Sequence, residues 1–178
     1  MLKRIGTGFV VFCFVGAAAL LYVDGHFPAS IPDGQGPLDY RPFALALQRV
    51  GASGLVDYAA LKRDPKALHE FVAQLQRVSP LNRPELFAQP DDRLAFWLNA
   101  YHALVLEAAL ERDADAQLDG FGRSFYWLRS WPIGGRRFTL SSIERRFLSQ
   151  TGDPRVPFAL ACGAVGCALL DDSPYRRT

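Results

Sequence analysis

Sulfur and imidazole are scarce in this chain. Its 178 residues include three cysteines, Cys13, Cys162 and Cys167, and three histidines, His26, His69 and His102. Structural zinc centres generally take four such ligands, so none is expected. The same cysteine count excludes a disulfide-built scaffold. A large excess of charge of one sign is also missing. A net charge of +2 gives no electrostatic case for nucleic acid. The glycine pair at Gly134 and Gly135 is not followed by Lys-Ser or Lys-Thr, so it is a turn and not a phosphate loop. No internal repeat is present, and no residue pattern calls for a cofactor.

What is present is an ordinary globular composition, 49% apolar and 21% charged, which excludes bulk disorder. A long apolar run stands at the start. Lys3 and Arg4 precede uncharged residues 5–23, and Asp24 closes them. At the helical rise this run reaches about 28 Å, close to the roughly 30 Å of a bilayer's hydrocarbon core. Bases before the run place the N-terminus in the cytoplasm and the remainder outside it. We read residues 1–25 as an uncleaved single-pass anchor in the inner membrane, with a periplasmic C-terminal part. The alternative is a signal segment cleaved near Ala17, Ala18 and Ala19, giving a secreted protein. Cys13 lies mid-run between two phenylalanines and reads as a membrane-buried thiol. Residues 26–37, rich in proline and glycine, read as a linker. Residues 38–178 then suffice for one domain, burying roughly 70% of its unfolded surface.

Within that domain, Asp39 is expected to cap a helix reaching Val50, with Phe43 and Leu47 on its buried face. Leu55, Val56 and Tyr58 read as extended. Asp64 followed by Pro65 marks a second helix start, and Leu68, Phe71, Val72, Leu75 and Val78 follow at helical spacing. Residues 82–90 read as loop. Asp91 or Asp92 is expected to cap a helix over 93–112. Its apolar residues fall on nearly every side, which places it in the middle of the domain. Residues 113–120 read as a polar loop, and 125–133 as extended. The glycine pair and residues 136–140 complete a hairpin. Ser141 and Glu144 fit a capping box for a helix to Gln150. Phe158 to Cys162 reads as a short buried strand, and Gly163 and Gly166 as flanking a bend. The fold class is α+β: a predominantly helical single domain with a small antiparallel hairpin.

Four segments together resemble the uncharacterised "domain of unknown function 547" family of bacteria and plants. They are Gly54-Leu-Val-Asp-Tyr58, then Leu94-Ala-Phe-Trp-Leu-Asn-Ala-Tyr101, then Ile133-Gly-Gly-Arg-Arg137 with residues 140–144. The last is Asp153-Pro-Arg155 with residues 158–160 and Cys162-Gly-Ala-Val-Gly-Cys167. They follow the family's order and span roughly 42–175. The chain departs from the family pattern at four places. His102 stands where the family has a second Asn, Arg145 and Pro157 where it has histidines, and Gly166-Cys167-Ala168 where it reads Ser-Cys-Pro. The family domain normally continues past the equivalent of position 178, so the resemblance implies a shortened copy. It supplies a fold expectation and candidate positions, not a reaction.

Asn99 and His102 are polar residues three apart on the central apolar helix. Burying either without a partner costs about 1–3 kcal/mol, so each is expected to have one. They tie the helix to a loop or face a pocket. Cys167 is the candidate nucleophile, with His102 as its base and Asn99 as the orienting group. Cys162 and Cys167, five apart, are a candidate disulfide pair or two core thiols. Between residues 121 and 156, seven arginines oppose Glu144 and Asp153, a local excess of +5. Arg136, Arg137, Arg145 and Arg146 are its centre. They are either a solvated surface or a contact for lipid headgroups or an acidic protein. Three functions remain open at this point: a diverged, non-catalytic binding module held at the membrane, a thiol hydrolase or transferase, and a truncated remnant.

Overall fold

The computed structural model describes residues 36–51, 54–111, 124–161 and 168–176. The apolar run at 5–23, the loop at 113–120, Gly163, Gly166 and both late cysteines lie outside the described residues. Among the described residues no helix is long and apolar enough to cross a membrane.

The described part is predominantly helical with one two-stranded antiparallel sheet. Helix α1 (Arg41–Leu47) starts one residue later than expected. Tyr40 stands at its cap, because the Asp39 carboxylate is taken by the backbone N–H and guanidinium of Arg41. Val50 and Val56 then form an isolated antiparallel bridge, so the extended reading holds as far as Val56. It fails at Tyr58. The Asp57 carboxylate accepts the Ala60 N–H at 2.8 Å and opens helix α2 (Tyr58–Arg63). Asp64 therefore ends α2 instead of capping the next helix. Pro65 precedes helix α3 (Lys66–Arg77), whose Leu68, Phe71, Val72 and Leu75 are buried as their spacing required.

After a 3₁₀ turn (Pro84–Phe87) comes the long helix α4 (Pro90–Leu110). It opens before Asp91. Pro90 occupies the first turn with its φ preset, and the Asp92 carboxylate accepts the Gln89 N–H at 3.4 Å. Every residue from Ala95 to Leu106 is buried, so this helix is the axis of the core. Phe96 meets Phe87 edge-on, Phe43 stacks on Phe71 at 4.8 Å, and Trp97 stacks on Phe147 at 3.7 Å.

Residues 125–133 are not one extended stretch. Helix α5 (Ser124–Leu128) precedes strand β1 (Trp131–Ile133). The aromatic run has strand-like propensity, but the Tyr126 hydroxyl donates to the Glu144 carboxylate, and tertiary contacts decide. Strand β2 (Arg136–Phe138) pairs Trp131 with Phe138 and Ile133 with Arg136. Gly134 and Gly135, at φ +53° and +79°, supply the two positive dihedrals such a hairpin turn requires. The Gly134 N–H also donates to the Leu75 carbonyl at 2.9 Å, which pins the hairpin to α3.

The expected capping box is shifted. Thr139 Oγ1 accepts the Ser142 N–H at 3.0 Å and Ser142 Oγ accepts the Thr139 N–H at 2.9 Å. These bonds open helix α6 (Leu140–Ile143), and Glu144 is left for Tyr126. A π-helical turn (Glu144–Leu148) and a 3₁₀ turn (Ser149–Thr151) continue it. The buried strand expected from Phe158 is instead helix α7 (Val156–Ala159), with Pro157 in its first turn and Phe158 84% exposed. The Asp153 carboxylate accepts the Arg155 N–H at 2.9 Å and its carbonyl accepts the Val156 N–H, which turns the chain into that helix.

Candidate functional site

Helix α4 brings Asn99 and His102 fully inside, at 0% and 1% exposure. Both are satisfied by backbone. Asn99 Nδ2 donates to the Tyr175 carbonyl at 2.9 Å, and Asn99 Oδ1 accepts the Tyr175 N–H at 2.8 Å. One side-chain amide thus pairs with both peptide groups of one residue, as a strand neighbour would. His102 Nε2 accepts the Ala161 N–H at 3.2 Å. That fixes the neutral tautomer with its proton on Nδ1. Burial pushes the imidazole down to about 4, although the Ala159 backbone and the Asp171 charge pull the other way. At neutral pH the ring is uncharged.

Tyr175 completes the arrangement. Its ring lies 5.6 Å from that of His102, and its hydroxyl donates to the Ala159 carbonyl at 3.5 Å. Burial raises its phenol, and that of Tyr40 goes up to about 12, with the Asn99 amide opposing. Two clefts adjoin this cluster. One, of about 260 Å³, runs between α4 and α7 and is lined by Leu94, Leu98, Val156 and Ala159, with Asp91, Asp153 and Arg155 also on its walls. The other, of about 230 Å³, is lined by Leu38, Tyr40, Phe87 and Asp92. Ala95, Tyr175 and Arg176 line both. Asp153 and Arg155 form an ion pair at 2.7 Å, which holds the Asp153 carboxyl down at about 2.

Asn99 therefore meets the backbone at Tyr175 and His102 the backbone at Ala161, two stretches joined by the Tyr175 hydroxyl on the Ala159 carbonyl. Cys162 and Cys167 lie outside the described residues, so neither their pairing nor the distance from Cys167 to His102 is placed. Arg136 is exposed on β2, while Arg137 reaches Ser130 through Nε at 2.9 Å and Nη2 at 2.7 Å. Arg145 is exposed and Arg146 half-buried on the π-helical turn. Sequence reasoning missed Tyr175 and the Ala161 amide. Backbone groups have no sequence signature, and Tyr175 is 76 positions from Asn99. Among the described residues, no group of three or more His, Cys, Asp or Glu could hold a metal ion.

A mostly helical domain wrapped on a buried helix, with a small hairpin and a polar pair at its centre, is the class these features define. The family described as "Protein of unknown function, DUF547" matches residues 86–178, more than half of the chain, and the chain belongs to that family. No curated protein and no solved structure shows significant similarity to it.

Proposed function

We propose that this chain is a membrane-anchored binding module: residues 1–25 hold it in the inner membrane, 26–37 are a linker, and 38–178 form a non-catalytic domain outside the cytoplasm. The observation that carries the non-catalytic reading is the commitment of His102. A histidine acts as a general base through a free ring lone pair at a pKa near the working pH. Here the Nε2 lone pair accepts a backbone N–H, and burial holds the ring at about 4. Asn99 has likewise spent both halves of its amide on Tyr175. The clefts beside Tyr175, whose linings combine apolar side chains with charged ones, suit binding. The anchor rests on the charge order and length of residues 1–25, with signal cleavage as the other outcome. Arg136, Arg137, Arg145 and Arg146 would then meet anionic headgroups or an acidic partner close to the membrane.

The test is the pH–rate profile of Cys167 alkylation in the full, reduced chain in detergent micelles. The profile of an ordinary thiol, unchanged in His102→Gln, is expected. A reactive thiolate below pH 7 that disappears in His102→Gln would replace this reading with the thiol enzyme. Protease added to spheroplasts tests topology: degradation of the domain is expected, and full protection contradicts it.

A further inference from the structure

The surface of α4 that holds Tyr175 has the properties of a groove for an extended peptide. Asn99 offers one donor and one acceptor to a single residue's backbone, at 2.9 Å and 2.8 Å. This is how a site binds main chain regardless of side chain, as an added strand does. Pro174 is buried just before it, and proline has no N–H to leave unpaired. The Tyr175 ring lies against His102 and its hydroxyl points to the Ala159 carbonyl. Arg176 lines both clefts, whose walls carry Asp91 and Asp92, while Asp153 beside them is paired with Arg155. The groove therefore has a place for a proline, an aromatic ring and a basic residue in sequence.

The segment now seated there is lightly held. Among the described residues, 168–176 make no backbone–backbone hydrogen bond to the rest of the chain. Asp171, Asp172 and Ser173 are exposed, and Leu169 is 65% exposed. Its attachments are the Asn99 pair, the Tyr175 ring and hydroxyl against His102 and the Ala159 carbonyl, and the burial of Leu170 and Pro174, with Tyr175 half-buried.

We infer that this groove is a peptide-binding site, occupied here by the chain's own 168–176 segment, and that its partner is an extended segment carrying Pro-Tyr followed by a basic residue. This rests on the binding-module reading and names the partner class. The seated segment competes at the effective concentration of an intramolecular ligand, on the order of millimolar. A partner peptide must displace it, so the site is self-covered until a stronger segment arrives.

The test uses the full chain in micelles and a fluorescein-labelled peptide of residues 168–177, read by anisotropy. Tyr175→Ala, and Tyr175→Leu as a second variant that keeps an apolar side chain, loosen the chain's own segment. Each is expected to bind the peptide at least tenfold tighter than the wild-type chain. Adding Asn99→Leu should remove that binding, and a peptide with alanine for its tyrosine should not bind. If both loosened variants stay folded by circular dichroism yet bind the peptide no better than a scrambled one, the inference is overturned. Uptake of an apolar dye into the clefts by those same variants would then leave the binding-module reading standing without this partner.

Discussion

One buried imidazole should make this fold weaken in acid. In the unfolded chain His102 titrates near 6.5, and in the folded chain burial moves it to about 4. Between those values the unfolded state binds the proton and the folded state does not. Stability is then fully present above 6.5 and is lost as pH falls towards 4. The loss is about 1 kcal/mol by pH 5.5 and about 3 kcal/mol by pH 4, each tenfold difference in proton affinity being worth about 1.4 kcal/mol. The Asp171 charge and the Ala159 backbone beside the ring oppose burial and do not outweigh it. The perturbation is His102→Gln, which keeps an acceptor for the Ala161 N–H and removes the titration. Urea unfolding of both full chains in micelles, followed by tryptophan fluorescence with Trp97 and Trp131 buried, gives the stability difference at each pH. Carboxylates such as Asp153 titrate in both proteins and cancel. The wild-type advantage over His102→Gln should shrink steadily from pH 7 to pH 4. A flat difference would show that the ring is not buried and neutral, and a difference that grows in acid would show a charged, ion-paired histidine.

Gly134→Ala should destabilise by more than about 1 kcal/mol in thermal melts, because φ is +53° and an added Cβ would collide with Ser79 Oγ. No change in melting would refute the hairpin's seat on that serine. Thr139→Ala and Ser142→Ala should each cost about 1 kcal/mol, and the double variant less than their sum, since the two hydroxyls cap reciprocally. Additive losses would argue against that reciprocal box. Phe96→Ala, at 0% exposure, should cost about 3–5 kcal/mol in urea, whereas Phe158→Ala, at 84%, should stay within about 0.5 kcal/mol. Similar losses at the two sites would put Phe158 in the core and restore the buried strand.

Periodicity is a property of one segment, and where it is strong the residue pattern suffices. The all-round apolar pattern of α4 requires burial, and the spacing in α3 identifies its core face. The glycine pair locates the hairpin because only a turn with two positive φ angles uses it so well. The errors fall where two local signals compete. Asp57 and Asp64 both resemble caps, and the structure uses Asp57 for capping and Asp64 for termination. Thr139 and Ser142 offer the same box as Ser141 and Glu144 two residues earlier, and Tyr126 claims the glutamate. Phe158 reads as a core strand because apolarity does not reveal whether anything packs on it. Within the site, the burial and satisfaction of Asn99 and His102 agree with one cost argument. Their partners lie beyond it, because a backbone amide from a distant segment is invisible to residue type.

The neutrality and bonding of His102 bear most directly on the claim that the polar pair of α4 is committed to the chain's own backbone. With three histidines in the chain, long-range ¹⁵N–¹H correlation of histidine-labelled protein can observe each ring, and His102→Gln assigns the signal. The expected spectrum shows His102 as the neutral Nδ1–H tautomer from pH 7 down to about pH 5, with Nε2 hydrogen-bonded and its midpoint at about 4. An Nε2–H tautomer, or a midpoint at or above 6.5, would contradict it.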